Sequence, residues 1–349
     1  MKPLRFGLVG CGGIAGLHAE CLKKIAGDGS AILVAGAETD PGRRAAFGEK
    51  WGIPVHASLE ELLARDDIDA VTVTSPSGLH ADHTTQIAES GRNVLCEKPL
   101  DTRTEKAEAA IEAAKRNNVT LGGIFQQRFA PGPMKVKRAV EAGFFGEIVF
   151  VHCETPWYRS QGYYDSGEWR GTWALDGGVL SNQAPHMLDR LMWLSGCDVA
   201  EVLSATCETR ERAIEAETLA VATVRMENGA LGTITGTTLA YDGLPQRVLI
   251  CGTEGSAGFS GDDLTYFKTK RPFEEEQIAS KPLDATGDNK ARDPLALSSQ
   301  GHEANIRDFI GAVAEGREPL CTGADALRVV RLLNRIYEKA RVGPYAVAQ

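Results

Sequence analysis

The sequence predicts an α/β protein: an N-terminal doubly wound parallel sheet, then a C-terminal α+β domain on a mostly antiparallel sheet. Three observations carry that expectation. Over the first 124 residues, short apolar runs without a polar face alternate with helical patterns, as parallel strands covered on both sides do. A glycine-rich turn, GCGGIA at 10–15, follows the first run directly and opens a helix. After Phe125 the apolar runs succeed one another through short turns such as ENG, which is the texture of antiparallel or mixed pairing. At 349 residues the chain exceeds one ordinary core, so two domains, 1–124 and 125–349, are expected.

In chain order, the first strands are RFGLVG, ILVAGAE, AVTVTSP, NVLCEKP and VTLGGIF, with a weaker IPVH between the second and third. Helices are expected at 13–27, 40–52, 58–67, 78–91 and 101–118. Three carry start signals: Asp40 before Pro41, Ser58 with Glu61 three on, and Thr102 with Glu105 three on. In the second half a helix near 133–142 precedes the strand EIVFVHCETPW, an aromatic stretch and an apolar helix from Val179 to Leu194. Strands follow at 200–211, 217–226, 230–240 and 246–252. The polar stretch 272–300 reads as a surface excursion. Two helices close the chain, and the last, about 325–341, is a candidate to pack back toward the N-terminal domain.

The formal net charge of −9 argues against nucleic acid or an anionic membrane as the main partner, because such binding needs clustered Lys and Arg. The eight cysteines include no C-x-x-C pair and sit mostly in apolar stretches, as reduced core thiols do. No charged-then-apolar leader precedes LRFGLVG, and no run is long enough to span a membrane. A cytoplasmic protein is expected. No metal-ligand spacing is visible.

Gly10, Gly12 and Ala15 match G-x-G-x-x-G/A between a strand and a helix. Gly10 permits the tight turn, Gly12 lets backbone approach a pyrophosphate, and Ala15 lets helix and strand pack closely. The helix N-terminus, with Gly13 and Ile14, then faces the phosphates. Glu38 ends the second strand where an acid accepts hydrogen bonds from the adenosine ribose. Its charge repels a 2′-phosphate and favours NAD, while the nearby Arg43 and Arg44 keep NADP possible.

Ser75 and Pro76 end the third strand, His80 and His83 follow on a helix, and Glu97, Lys98 and Pro99 close the next strand. With DGGVLSNQAPHMLDRLMWLSG at 176–196, this set resembles the glucose-fructose oxidoreductase / inositol dehydrogenase (Gfo/Idh/MocA) family. Its markers are a Glu-Lys-Pro after the fifth strand of a Rossmann domain and a Gly-Gly stretch followed by Asp-x-x-x-His. The resemblance implies a second domain on a large open sheet that often serves as an oligomer interface, hence a homodimer or homotetramer. It also implies hydride transfer between NAD(P) and a secondary alcohol of a sugar, sugar acid, nucleotide sugar or cyclitol.

The chemistry asks for a group that holds the hydroxyl and takes its proton. Lys98, at the carboxyl end of a parallel strand, suits that task if burial and the cationic ring of the oxidised cofactor lower its pKa. His186 stands in the family histidine position and Asn182 in that of the aspartate. Four residues apart, they are expected on one helix face, continued by Asp189 and Trp193. An amide positions but takes no proton, so Lys98 or His186 is the acceptor and Asn182 orients substrate. Ser75, Pro76, His80, Glu97 and Lys98 are expected beside the cofactor. Tyr158, Arg159, Tyr163, Trp169 and Arg170 suggest a polyol pocket whose arginines suit an anion, with Gln127 or Arg128 lining it. Two alternatives stay open: an NAD-dependent glycoside hydrolase and a non-enzymatic dinucleotide sensor.

Overall fold

The computed structural model describes residues 2–273 and 299–346. It begins with β1 (Leu4–Val9), α1 (Gly13–Ile25), β2 (Ala31–Ala37), α2 (Pro41–Trp51), β3 (Val55–His56) and α3 (Leu59–Leu63). Then come β4 (Ala70–Val73), α4 (His80–Glu89), β5 (Asn93–Cys96), α5 (Thr104–Arg116) and β6 (Leu121–Gly123). The six strands pair in parallel in the order β3-β2-β1-β4-β5-β6. Strand order therefore reverses between β1 and β4, and the crevice beyond their carboxyl ends is where such sheets hold ligands.

Two expected helix starts are present as capped termini. Asp40 accepts from the Arg43 amide at 2.7 Å with Pro41 at the first position, and Ser58 accepts from the Glu61 amide at 3.2 Å. The third is displaced: α5 starts at Thr104 with Arg103 at its cap position, one residue later than the Thr102 signal implies. Asp101 explains the shift, because its side chain accepts from the Arg103 amide at 3.0 Å and keeps Arg103 extended.

The second half contains α6 (Pro131–Glu141), β7 (Ile148–Pro156), α7 (Gln161–Tyr164), a π-turn (Val179–Gln183) and α8 (Pro185–Ser195). Strands β8 (Val199–Glu208), β9 (Leu219–Met226), β10 (Leu231–Thr237), β11 (Arg247–Gly252), β12 (Gly255–Ser260) and β13 (Asp263–Thr269) follow. Their order is β13-β12-β11-β7-β10-β9-β8, antiparallel throughout except where β7 meets β10. Side chains alternate along β9 and β10, whereas at the start of β7 Val149 and Phe150 are both exposed beside a register shift. Val151, Cys153, Val224, Ile234, Val248 and Ile250 are buried, while Val149, Val221, Leu231, Leu249 and Tyr266 are exposed. Helix α8 covers the buried face, with Leu188, Leu191 and Met192 turned inward.

The chain ends in α9 (Ser299–Glu315) and α10 (Gly323–Ala340). Most of the stretch read as a surface excursion, residues 274–298, lies outside the described residues. Two compact units result: residues 1–126 with 297–330, and residues 127–296 with 331–349. A single cut at 124/125 is therefore corrected. Helix α9 belongs with the first sheet because Ile306, Phe309 and Ile310 join Phe6, Leu22, Ile25, Leu95 and Ile124 in one core. The Asn305 side chain also accepts from the Phe125 amide at 3.0 Å and donates to the Gly123 carbonyl at 3.3 Å. The beginning of α10 follows α9 into the first unit, and its remainder lies in the second.

Candidate active site

In the first unit, Gly10 has φ +89°, and a Cβ there would lie 2.7 Å from the Ser75 backbone. Only glycine closes this turn. Thr74 Oγ1 donates to the Val9 and Gly10 carbonyls at 3.0 and 2.8 Å, tying the ends of β1 and β4 together. Gly12 precedes α1 with no side-chain cap, and a Cβ on it would meet nothing within 4 Å. Ala15 is fully buried, whereas Gly12 and Gly13 are exposed and Ile14 half-buried. An uncapped helix start of this kind, with no acid in its first turn, presents amide donors to an anion. The turn thus fits a pyrophosphate.

Glu38 is 7% exposed and stitches the turn to β2. It accepts from the Cys11 and Asp40 amides, each at 2.9 Å, and from Arg43 at 3.2 Å. Burial works to raise its pKa, but the Arg43 guanidinium and the two amides outweigh burial and hold it below the ordinary carboxylate value. The charge that discriminates against a 2′-phosphate is therefore present. Arg43 is engaged with it, and Arg44 donates to the Glu38 and Thr39 carbonyls at 3.0 and 3.3 Å. These residues fit NAD.

The turns after β4 and β5 are fastened by His80, which is buried. Its Nδ1 lies 2.6 Å from the Pro99 carbonyl and its Nε2 2.7 Å from the Ser75 carbonyl. Burial lowers its pKa while these two carbonyls oppose the shift. A neutral imidazole donates to only one of these carbonyls, but both ring nitrogens face backbone, so His80 sits between the two turns and offers no nitrogen to a cofactor, contrary to expectation. Ser75 Oγ lies 2.9 Å from His83 Nδ1, and burial pushes His83 down to about 4.

Glu97 is also inside the fold rather than at a ligand's edge. His18 Nε2 lies 2.9 Å and His302 Nε2 3.6 Å from its Oε1, and its Oε2 accepts from the Lys98 amide at 3.1 Å. Burial would raise its pKa, yet the two imidazoles hold it well below the ordinary value. Thr72 Oγ1 lies 3.0 Å from the other nitrogen of His18 and fixes that ring. His18, Glu97 and His302 bring metal-ligand atoms within 4.8 Å of one another, a constellation that scanning local spacings missed. Hydrogen bonding accounts for it as it stands. Lys98, half-buried, follows directly at the mouth of β5 through a cis bond to Pro99.

In the second unit the expected continuous helix breaks into the π-turn and α8, because Pro185 cannot donate to the preceding turn. Asn182 lies in the π-turn and His186 in the first turn of α8, both half-buried. The stripe does not continue, since Asp189 and Trp193 are buried. Arg128, expected beside substrate, is corrected by the same feature. It is 1% exposed and forms a bidentate pair with Asp189, Nε to Oδ2 at 2.9 Å, over the Trp193 ring at 5.2 Å.

Beneath the π-turn, Glu217 is 1% exposed and accepts from the Leu180 amide and the Tyr337 hydroxyl, each at 2.9 Å. Burial pushes it up to about 7. Beside the turn, Arg159 is buried over Trp157 and Tyr163, with centroids at 4.8 and 5.4 Å. Arg170 stacks on Tyr163 and Trp169, each at 4.4 Å, and donates to the Tyr163 hydroxyl at 2.8 Å. Tyr158 meets Tyr241 edge-on at 5.3 Å. Two guanidiniums framed by rings, Arg159 buried and Arg170 half-buried, concentrate positive charge beside the turn.

Family models match both halves. Residues 4–124 match an oxidoreductase family with an NAD-binding Rossmann fold, and residues 134–258 match the GFO/IDH/MocA C-terminal domain. The chain is 27% identical over 340 residues to an inositol 2-dehydrogenase of Rhizobium meliloti, covering 94% of each. It is 34% identical to the WlbA dehydrogenase of Bordetella pertussis, solved with NADH and UDP-GlcNAcA, at a TM-score of 0.85 and 97% of both chains. The Chromobacterium violaceum WlbA complex with the same ligands is 33% identical, with a TM-score of 0.86, over 98% of this chain and 94% of that one.

Proposed function

Because the chain belongs to the GFO/IDH/MocA family of NAD-binding oxidoreductases, we propose that it oxidises, reversibly, a secondary hydroxyl of an anionic nucleotide-linked sugar. The broader activity is that of an NAD-dependent dehydrogenase acting on a CH–OH group of the sugar, nucleotide-sugar or cyclitol class. The observation that carries the narrower reading is the pair of ring-framed arginines, Arg159 and Arg170. A neutral cyclitol has no charge for them to meet, whereas a uronate carboxylate or a diphosphate does. The 34% identity to a dehydrogenase bound to UDP-GlcNAcA supports the same class.

NAD, when bound, supplies the ring carbon that takes the hydride from the carbinol carbon. Gly12 and the start of α1 hold its pyrophosphate and Glu38 its ribose hydroxyls. Lys98 takes the proton that leaves the hydroxyl oxygen, so both bonds of the H–C–O–H unit are accounted for. His186 hydrogen-bonds the sugar and Asn182 orients it.

Initial rates on nucleoside-diphosphate hexuronates, free hexuronates, neutral sugars and inositols test the reading. The nucleotide-linked acids should exceed inositol in kcat/KM by about 100-fold, the ~3 kcal/mol of a charge-assisted bond. Equal rates on inositol would overturn it. Lys98→Met should abolish turnover and leave NAD affinity unchanged.

The exposed face of the second sheet, with Phe150, Val221, Leu231, Leu249 and Tyr266, suits a second copy of the chain as partner. Sedimentation of wild type against Leu231→Arg/Leu249→Arg checks this, and a monomeric wild type would overturn it. Eight free thiols, six of them buried, support a cytoplasmic setting. Among the described residues no helix is long and apolar enough to cross a membrane.

A further inference from the structure

We propose that Asp176 is a positioning residue of the substrate side, fixing the Asn182 amide and supplying the negative charge that residue 182 itself lacks. The inference rests on the proposed reaction. It starts from the backbone. Gly177 has φ +76°, and a Cβ there would lie 2.4 Å from the Ser181 Cβ; one on Gly178 would lie 2.1 Å from Glu217. Two glycines therefore let the chain fold back tightly enough for residue 176 to meet residue 182.

Asp176 is 1% exposed. Its Oδ2 accepts from the Gly171 amide at 2.8 Å, and its carbonyl accepts from Ser181 Oγ at 2.8 Å. Its Oδ1 accepts from Asn182 Nδ2. A carboxylate only accepts, so the nitrogen end of the Asn182 amide must face it, and the flipped amide would set oxygen against oxygen. Gln183 Nε2 donates to Asn182 Oδ1 at 2.9 Å, locking the same orientation from the other end. Gln183 in turn hydrogen-bonds Tyr163, whose hydroxyl accepts from Arg170. A polar chain thus runs Asp176–Asn182–Gln183–Tyr163–Arg170, with an acid at one end and a guanidinium at the other.

Glu217 lies across the same turn, and the negative charge of Asp176 adds to the burial that holds Glu217 protonated toward neutral pH. Of the two buried acids flanking the π-turn, Asp176 is the one whose charge is passed to Asn182. The carboxylate makes Asn182 Oδ1 a stronger acceptor, which holds the substrate hydroxyl, while it still carries its proton, in the orientation the transfer requires.

The test is charge transposition. Asp176→Asn should lower kcat by about 10–100-fold, the loss of one charge-assisted interaction. Sugar KM and NAD affinity should stay near wild type. Asn182→Asp alone sets two acids in contact and should also lose activity. The double variant Asp176→Asn/Asn182→Asp rebuilds an acid–amide pair and should recover most of kcat. A wild-type kcat in Asp176→Asn, or a double variant no better than the worse single, would overturn the proposal.

A second readout needs no substrate. In thermal unfolding the two singles should each lose stability and the double regain it, whereas additive losses would also overturn the contact. Failure of wild type to turn over any nucleotide-linked sugar, with the unfolding cycle intact, would instead defeat the proposed function.

Discussion

Replacing Glu38 with Gln tests the cofactor end most sharply. A 2′-phosphate oxygen about 4 Å from a carboxylate meets roughly 4 kcal/mol of repulsion per unit charge at the effective dielectric of a protein surface. The amide removes that term. It also weakens two bonds to the ribose hydroxyls from charged to neutral strength, at roughly 1 kcal/mol each. Even if salt screening halves the repulsion, the NAD/NADP ratio of kcat/KM should fall by about 100-fold or more.

Arg43, no longer paired with a charge, reinforces the change. The same substitution turns an amide NH2 toward either the Cys11 or the Asp40 amide, both of which now donate to Glu38. That mismatch costs about 1–3 kcal/mol of stability and a few degrees of Tm. The ratio is therefore the proper readout, measured as initial rates of nicotinamide reduction with each cofactor. A ratio unchanged in a variant that folds would refute the role given to the Glu38 charge.

Three further outcomes are expected. Between the ordinary carboxyl value of 4.5 and about 7, the unfolded chain loses a proton that folded Glu217 retains, so stability falls as pH rises through that window. The deficit reaches of order 3 kcal/mol above it. Glu217→Gln keeps an acceptor for Leu180 and Tyr337 and escapes the deficit, so its Tm should gain on wild type from pH 5 to pH 8; parallel curves would refute this. Arg128→Met, which takes the guanidinium away from buried Asp189, should cost about 3–5 kcal/mol in chemical unfolding, while Arg128→Met/Asp189→Leu recovers much of it. A raised sugar KM with unchanged stability would return Arg128 to the substrate side. Gly10→Ala drives a methyl to 2.7 Å from the Ser75 backbone at φ +89°, so calorimetry should detect no NAD binding, and wild-type affinity would refute the turn's role.

What could be read beforehand follows from where each signal is written. The Gly10–Ala15 turn, Glu38 and the strand–helix alternation are local patterns, and their geometry is set by residues a few positions apart. The pairing of Arg128 with Asp189 and the enclosure of Glu97 by His18 and His302 join segments far apart in the chain, so no spacing announces them. His80 has the right position for a cofactor contact, yet its orientation depends on carbonyls of two other turns. The break at Pro185 was legible as chemistry but was overridden by the apolar run around it. Strand β12 escaped notice because GSAGFS is poor in β-branched residues, and pairing with β11 and β13 supplies what propensity does not.

The return of α9 to the first sheet bears on how the protein is born. All six strands of that sheet have been synthesised by Gly123, but Phe309 reaches its place against Phe6, at 6.2 Å between ring centroids, nearly 200 positions later. At ordinary ribosomal speeds of roughly 5–20 residues per second, Phe6, Leu22 and Ile25 wait about 10–40 s for the helix that covers them. A nascent chain in that interval shows a greasy flank that chaperones bind, and any product truncated before α9 keeps that flank permanently.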